Sequence, residues 1–197
     1  MAEIGTAGIS TVRARTVLAR AFTDDPLFVW FFPDDDTRPH ATATLLGLFA
    51  EHYLAGGRVD VAAGCDAVAM WREPGAPGPG DGGPEELPTI GGVMAALMGT
   101  DRAREVGLAM SALAPLRPPE PYAYLHLLAV HPDSWNRGLG GALLERGLAT
   151  ARDAGLAACL ETMNSANVPF YTAHGLQVRA ETELAPGGPF AWTMTTG

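Results

Sequence analysis

The 197 residues, with a mass of 20.6 kDa, suffice for one compact domain and are too few for two full ones. A content of 47% apolar and 18% charged residues excludes a chain that is disordered throughout. The net charge of −9 argues against nucleic acid as a partner. All basic residues are arginines, which excludes chemistry that needs a lysine nucleophile or a phosphate-loop lysine.

The cysteines and the N-terminus indicate where the protein works. Cys65 and Cys159 lie far apart and form no Cys-x-x-Cys pair, so neither a disulfide framework nor a metal site is expected. The N-terminus has no basic segment followed by an apolar stretch, and the uncharged apolar-leaning run Leu87 to Thr100 is too short to span a bilayer. We therefore expect a cytoplasmic protein with no membrane partner.

The first half of the chain predicts helices followed by a hairpin. Apolar residues at three- to four-residue steps predict a helix over 12–22, and an acidic start at 34–36 predicts a second one that ends at Gly56. Two prolines bracket the aromatic segment between these helices and should limit continuous helix there. Short apolar runs predict a hairpin with strands over 59–63 and 67–71. Helical spacing after it predicts two further helices, over 89–98 and 101–113.

Glycine and proline interrupt the chain once. Nine of the eleven residues from Pro74 to Pro84 are Gly or Pro, which predicts a flexible loop over 74–88. The loop is too short to separate two domains. Residues 1–197 are therefore interpreted as a single domain.

The second half alternates strands and helices. Tyr122 to Val130 is apolar apart from His126, which predicts a central strand buried on both faces. Asn167 is predicted to cap a short helix that has Pro169 in its first turn and Gly175 at its end. The other predicted elements are a helix over 138–154, a strand over 156–163, and a closing strand pair over 178–184 and 190–195.

A glycine-rich turn after the central strand predicts an anion site. Amide N–H groups at a helix start are unpaired, glycines let a phosphate approach the main chain, and Arg137 adds a positive charge. The segment consists of Asn136, Arg137, Gly138, Leu139, Gly140 and Gly141. A tight turn with close helix packing explains the glycines equally well. A dinucleotide fingerprint is excluded, since Leu143 stands where a third glycine belongs.

In this turn and in the later segment 167–176, the sequence resembles the GCN5-related N-acetyltransferase (GNAT) superfamily. The family loop reads Gln/Arg-x-x-Gly-x-Gly/Ala, which residues 135–140 match except that Trp135 stands at the first position. Residues 167–176 resemble the family's Asn-x-x-x-Tyr-x-x-x-Gly-Phe helix, with Leu176 at the last position. Within the superfamily the chain most resembles the puromycin N-acetyltransferases. The family's first strand is hard to find before the first helix.

The resemblance implies a fold and a cofactor. The expected fold is a single α/β (α+β) domain with a mixed, mostly antiparallel central sheet flanked by helices, in which a splayed strand pair holds acetyl-CoA. The residues implied in binding acetyl-CoA lie on the central strand, in the glycine-rich turn and in the later helix: Leu128, Ala129, Val130, Asn136, Arg137, Gly138, Leu139, Gly140, Gly141, Asn167 and Tyr171.

Two side chains are candidate catalytic residues. The resemblance places Tyr171 beside the coenzyme sulfur, where a phenol can protonate the departing thiolate. Glu161 is a candidate base for the ammonium proton, and His126 is a rival. Each also has a structural interpretation: packing for Tyr171, hydrogen bonding to neighbouring backbone for Glu161, and a satisfied core residue for His126.

Aromatic and acidic residues are candidates for the acceptor site. Asp24 and Asp25 would attract a cationic amine, while aromatic rings would line its pocket. The candidate residues are Asp25, Phe28, Phe31, Trp71 and His126, with Trp30 and Phe32 as further ring candidates; filling of the core explains the rings as well.

The expected function is acetyl transfer from acetyl-CoA to a primary amine, directly within a ternary complex. The expected acceptor is a small molecule such as an antibiotic-like metabolite. Two alternatives remain open: acetylation of protein N-termini or lysines, and a catalytically silent module that binds acyl-CoA. The expected state is a monomer or a homodimer.

Overall fold

The computed structural model describes residues 4–5, 9–81 and 87–197. In these residues the helices are α1 Thr11–Phe22, α2 Pro26–Phe31, α3 Arg38–Gly56, α4 Ile90–Met98, α5 Thr100–Ser111, α6 Leu139–Asp153 and α7 Val168–Ala173. The strands are β1 Ile4–Gly5, β2 Arg58–Ala62, β3 Ala67–Arg72, β4 Tyr122–Val130, β5 Ala157–Thr162, β6 Gln177–Glu183 and β7 Phe190–Thr195.

The strands form one sheet in the order β1-β2-β3-β4-β5-β7-β6. The β4–β5 pair is parallel, and the other neighbouring strands pair in antiparallel fashion. Helix α6 connects the parallel strands, as a parallel crossover requires. The predicted single α/β domain with a mostly antiparallel sheet is therefore confirmed.

Helices cover both faces of the sheet with apolar side chains. Helices α1 and α3 pack against one face through side chains such as Leu18 and Leu46, which meet Met70 and Leu127 of the sheet. Helix α6 covers the opposite face together with α7, with Leu143 among its buried residues. Burial of these side chains is the main contribution to stability, at about 25 cal/mol for each Å² of apolar surface removed from water.

Strand β4 changes face in its middle. The register with β3 runs from Met70 opposite Leu127 to Trp71 opposite Leu125, so His126 is an extra residue in a β-bulge. Because alternate residues of a regular strand share a face, the bulge moves the side chain of Leu127 to the α1 and α3 side, whereas that of Leu125 faces α6.

Pairing between β4 and β5 stops at the same place. The last register pair is Leu125 with Leu160, and beyond it β5 continues in register with β7 while β4 runs on with β3. Among the described strands, none pairs with the edge of β4 that would face β5 from His126 to Val130. This is the splayed strand pair that the family resemblance implies.

The structure corrects several expected details. The aromatic segment between the prolines forms a short helix, α2, in which Pro26 takes the first position, where its missing N–H costs nothing. A first strand exists, and the described residues of it are Ile4 and Gly5 of β1. Helix α3 begins at Arg38, later than the acidic residues, and Oδ1 of Asp34 accepts a hydrogen bond from the Thr37 amide. Asn167 precedes α7 without making a side-chain capping bond.

Only part of the predicted flexible loop can be described, because residues 82–86 of the range 74–88 lie outside the described residues. In the described part, the carbonyl of Pro77 is 3.1 Å from Nε2 of His52. Among the described helices, none combines the length and the hydropathy needed to cross a membrane.

Candidate active site

A groove of about 570 Å³ opens where β4 and β5 separate. The free end of β4 forms its floor, the start of α6 and the turn before it form one wall, and α7 with the α1–α2 turn forms the other. The lining side chains and backbone are those of Ala21, Phe22, Asp24, Asp25, Leu128, Val130, Ser134, Trp135, Asn136, Gly138, Leu139, Gly140, Gly141, Asn164, Asn167, Phe170 and Tyr171.

The glycine-rich turn presents unpaired amides to this groove. The first bond at the helix start runs from the Ala142 amide to the Gly138 carbonyl, and no acceptor within the described residues bonds the amides from Asn136 to Gly141. Asn136 and Gly138 have positive φ values of 59° and 73°, which turn the chain into α6. Consecutive free N–H groups at the positive end of a helix suit a diphosphate. The residues therefore fit the coenzyme that the resemblance implies.

The same glycines also allow close packing. A Cβ atom at Gly140 would lie 3.3 Å from Cγ2 of Val130, and one at Gly141 would lie 3.2 Å from Nε2 of His174. The close-packing interpretation of the glycines is therefore compatible with an anion site, because α6 packs against β4 and α7 while the amides before it stay unpaired.

A chain of side-chain hydrogen bonds connects the glycine-rich turn to Asp66 and α1. The Arg137 guanidinium donates to Oγ of Ser134 over 3.0 Å, and that hydroxyl in turn donates to Asp66 over 2.8 Å. Asp66 also bonds Arg13 of α1. The bonds from Ser134 and Arg13 lower the pKa of the Asp66 carboxyl, so the carboxylate stays charged and holds the turn in place.

Trp135, at the position where the family motif prefers Gln or Arg, folds back onto β4. Its indole N–H donates to the Val130 carbonyl over 2.9 Å, while 57% of the residue remains exposed. The indole N–H thus satisfies the carbonyl at the end of β4, and the indole ring lies in the lining of the groove.

A second cavity of about 370 Å³ continues inward from the groove, between α3, α4, α5 and the sheet. Its wall is mainly apolar: Leu45, Leu46, Phe49, Ile90, Met94, Val106, Met110 and Leu113 are among the lining residues. The two cavities share five lining residues, which therefore mark their junction: Phe22, Asp25, Leu128, Asn167 and Tyr171.

Two of the junction residues are titratable. The side chain of Asp25 accepts a hydrogen bond from the Leu27 amide over 3.0 Å as the cap of α2. Burial raises the pKa of the Asp25 carboxyl, and the Leu27 bond offsets part of that shift. Burial also raises the pKa of the Tyr171 phenol, with the nearby Asp25 carboxylate adding to the effect. Tyr171 is therefore a neutral phenol at physiological pH, able to donate a proton.

Glu161 lies in the wall of the inner cavity with its carboxylate already engaged. Arg117 donates to both oxygens, from Nε over 2.7 Å and from Nη2 over 3.3 Å, and the Tyr124 hydroxyl donates to Oε2. The sequence interpretation assigned no such role to Arg117 or Tyr124. Their link to Glu161 joins residues 37 and 44 positions apart, and no sequence pattern signals it.

His126 occupies the bulge of β4 and lines the inner cavity. The rings of Phe49 and Tyr124 pack against it at centroid distances of 5.0 and 5.3 Å. Burial, and after it the charges of Arg117 and Arg72, lower the pKa of His126 to about 3. The imidazole is therefore neutral at physiological pH.

The structure brings most of the candidate residues together at the two cavities and places a few elsewhere. Phe28 and Phe31 line the inner cavity together with Asp25 and His126. Trp71 does not: it is fully buried against α6 on the other face of the sheet, because residue 71 follows Met70 and adjacent strand residues face opposite sides. Of the further ring candidates, Trp30 and Phe32 lie outside the lining of both cavities. The same holds for Ala129 of β4 and for Arg137, whose guanidinium bonds Ser134.

Comparison with known proteins agrees with this architecture. Residues 91–176 match the family model of the acetyltransferase (GNAT) family. A structure from Corynebacterium glutamicum, described as histone acetyltransferase HPA2 and related acetyltransferase, has a TM-score of 0.66 and 23% identity, and the match covers 99% of this chain and 95% of that one.

Two further solved structures show the same fold. Arylalkylamine N-acetyltransferase 2 from Aedes aegypti has a TM-score of 0.67 and 14% identity over 99% of this chain and 98% of its own. Ribosomal-protein-S18-alanine N-acetyltransferase from Escherichia coli has a TM-score of 0.52 and 16% identity over 100% of this chain and 93% of its own. At such identities the likeness concerns the fold. Residues 91–176 thus carry the match to the GNAT family model, and the chain as a whole has the fold of solved N-acetyltransferases.

Proposed function

We propose that the protein acetylates the primary amine of a small, largely apolar molecule by direct transfer within a ternary complex. The observation that carries this proposal is the junction of the two cavities at Asp25, Asn167 and Tyr171. A donor in the groove and an acceptor in the inner cavity would meet there, so no covalent enzyme intermediate is needed. Holding both reactants at one point supplies much of the rate enhancement.

The groove residues would hold acetyl-CoA, which supplies the acetyl thioester when bound. The free amides from Asn136 to Gly141 would bind its diphosphate, with Arg137 adding positive charge to the turn. The free edge of β4 at Leu128 and Ala129 would bond its amide-containing arm, as a neighbouring strand would. Asn167 lies at the junction and would contact the same arm.

Tyr171 would act as the general acid. It is 8% exposed and lines both cavities, and no hydrogen bond fixes its hydroxyl within the described residues. A phenol whose pKa is raised by burial holds its proton until a stronger base such as a thiolate forms beside it.

Glu161 has a different role in this proposal. Its two oxygens already accept three hydrogen bonds from Arg117 and Tyr124, so the carboxylate is engaged within the protein and is a weaker candidate for the base. We assign Glu161 to positioning Tyr124 in the cavity wall. The low pKa of His126 likewise makes the imidazole a weak base, and we assign it to shaping the cavity beside Phe28 and Phe31.

The shape and chemistry of the inner cavity favour a small acceptor over a peptide. Leucine, isoleucine, methionine and phenylalanine side chains from α2, α3, α4 and α5 enclose it, and Pro79 and Gly80 of the loop contribute to its lining. A peptide backbone would bring several polar groups against a wall that is mainly apolar, and burying such groups without partners is costly. A molecule with one amine and an apolar body would match this lining, with its apolar part against the wall and its amine at the junction.

The resemblance to the puromycin N-acetyltransferases supports an antibiotic-like metabolite as the acceptor class. The supporting segments include Asp24 to Pro26 and Asn167 to Tyr171. Cys65 and Cys159 are both free and buried, which supports a reducing compartment such as the cytoplasm. We propose a monomer or a homodimer as the working state.

Release of free thiol from acetyl-CoA, measured with a panel of primary amines and N-terminal or lysine peptides, tests the function. We expect turnover with apolar small amines and little with peptides. Thermal stabilisation by CoA alone is measured in parallel. Stabilisation by CoA without turnover of any amine would instead identify a silent acyl-CoA-binding module, and preferential turnover of peptides would identify a protein acetyltransferase.

A further inference from the structure

We infer that the Asp25 carboxylate binds the ammonium group of the acceptor at the junction of the two cavities and removes its proton. This inference rests on the proposed function and adds the group that makes the amine nucleophilic. An alkylamine is protonated at neutral pH and cannot attack a thioester until one proton has left. The base must therefore lie where the amine and the thioester meet.

Asp25 is the carboxylate that the fold places at that point. It lines both cavities, whereas Asp24 lines only the outer groove and Glu161 only the inner cavity. Its Oδ1 accepts from the Leu27 amide at 3.0 Å, which fixes the carboxylate, and within the described residues no other hydrogen bond is made to it. One oxygen thus remains available to a ligand.

The charges around Asp25 make it a receptor for a cation. In the described part of the chain no arginine lines either cavity, and Asp25 forms no ion pair. The titratable groups that share its cavities are Asp24 beside it, Tyr171 from α7, Tyr124 and His126 from β4, and Glu161 from β5, whose charge Arg117 neutralises. A half-buried carboxylate without a counter-ion is costly unless a ligand supplies one.

The proton balance closes with the residues at the junction. The ammonium gives one proton to Asp25, and the neutral amine attacks the thioester carbonyl, so that a C–N bond forms and the C–S bond breaks. The thiolate takes the phenol proton of Tyr171, and the phenolate takes the second proton that the nitrogen loses. The products are the amide and the free thiol, with the first proton released from Asp25 to solvent. The burial that raises the pKa of Asp25 brings its basicity closer to what this transfer needs.

Asp25→Asn tests the inference with little change to the fold, because Asn caps helices as well as Asp does and can keep the bond from Leu27. Asp25→Ser provides a second variant with a different capping side chain. The matched control is Asp34→Asn, since Asp34 also accepts a backbone bond, from Thr37 at 2.8 Å, but lines neither cavity.

We expect both Asp25 variants to lower kcat/KM by about 100-fold, with the control unchanged. In the wild type, kcat/KM should reach a plateau above the pKa of Asp25. In the variants it should keep rising into the alkaline range, because only amine that is already neutral can react. An unchanged rate and pH profile in both variants would overturn the inference while leaving the proposed function intact.

A binding measurement separates this role from a structural one. Calorimetry with the CoA-saturated protein should show tighter binding of phenethylamine than of phenethyl alcohol, and Asp25→Asn should remove most of that preference. If the preference is the same in both proteins, Asp25 does not receive the ammonium. If the wild type acetylates no amine at all, the proposed function fails, which is distinguishable from either result.

Discussion

The hydroxyl of Tyr53 in α3 lies 2.8 Å from Nδ1 of His126, the residue at which β4 changes face. This bond ties the helix that covers the inner cavity to the bulge that opens the splay between β4 and β5. Since Tyr53 is 1% exposed, the bond is shielded from water. The inner cavity and the separation of β4 from β5 that opens the groove thus share this bonded pair.

His126 predicts a pH dependence of stability. Its pKa is about 3 in the folded protein against 6.5 in the unfolded chain, so below pH 6.5 the unfolded chain binds a proton that the folded protein does not. Stability is therefore lost as the pH falls through this range. Denaturant unfolding should show the wild type losing about 2 kcal/mol more than His126→Gln between about pH 7 and about pH 5. Equal losses in both proteins would show that His126 titrates normally.

Tyr171→Phe tests the general acid. Removing the hydroxyl should lower kcat by about 100-fold, because the thiolate then departs unprotonated, while CoA affinity stays near the wild-type value. The matched control is Tyr122→Phe, since Tyr122 is buried beside Cys159 and lines neither cavity. Full turnover in the Tyr171 variant would remove this phenol from the mechanism.

The Arg117–Glu161 pair predicts strong energetic coupling. Glu161 is 3% exposed and Arg117 19% exposed at their side chains, so either partner alone would remain as a poorly solvated charge. We expect Glu161→Gln to lower the free energy of unfolding by about 3 kcal/mol, and the double variant with Arg117→Met to lose less than the sum of the single changes. Additive losses in a double-mutant cycle would contradict the coupling.

The close contact between α6 and Trp71 requires a glycine at position 147. A Cβ atom there would lie 2.0 Å from Cζ2 of the fully buried Trp71, so the indole or the helix must shift to admit it. Gly147→Ala should cost about 3 kcal/mol of stability. The control is Gly107→Ala in α5, where a Cβ atom meets nothing within 4 Å; there the higher helix propensity of alanine should add up to about 1 kcal/mol. A small loss for Gly147→Ala would mean that α6 can shift away from the sheet.

Much of the fold was predictable because it follows from local patterns. The apolar run of β4, the glycines before α6 and the Asn167-to-Gly175 segment each indicate their element through spacing along the chain. The short helix α2 was missed, because a proline at the first helical position starts a helix instead of ending one.

The candidate site was predictable where its residues lie in one motif. The amides from Asn136 to Gly141 and the phenol of Tyr171 belong to segments that resemble the family, and the structure places both at one groove. Trp71 was misplaced because the face of a strand residue depends on register, which the chain's local composition does not encode.

By itself, the sequence determined the order of most elements, the glycine-rich turn, the absence of lysine chemistry and the resemblance to the acetyltransferase family, since each depends on neighbouring residues. Only the tertiary structure decided that Arg117 bonds the Glu161 carboxylate and that Asp25 lines both cavities. It also decided that the bulge at His126 places the side chains of Leu125 and Leu127 on opposite faces of the sheet. The physical reason is that these relationships join residues distant in the chain, and packing and strand register set their distances.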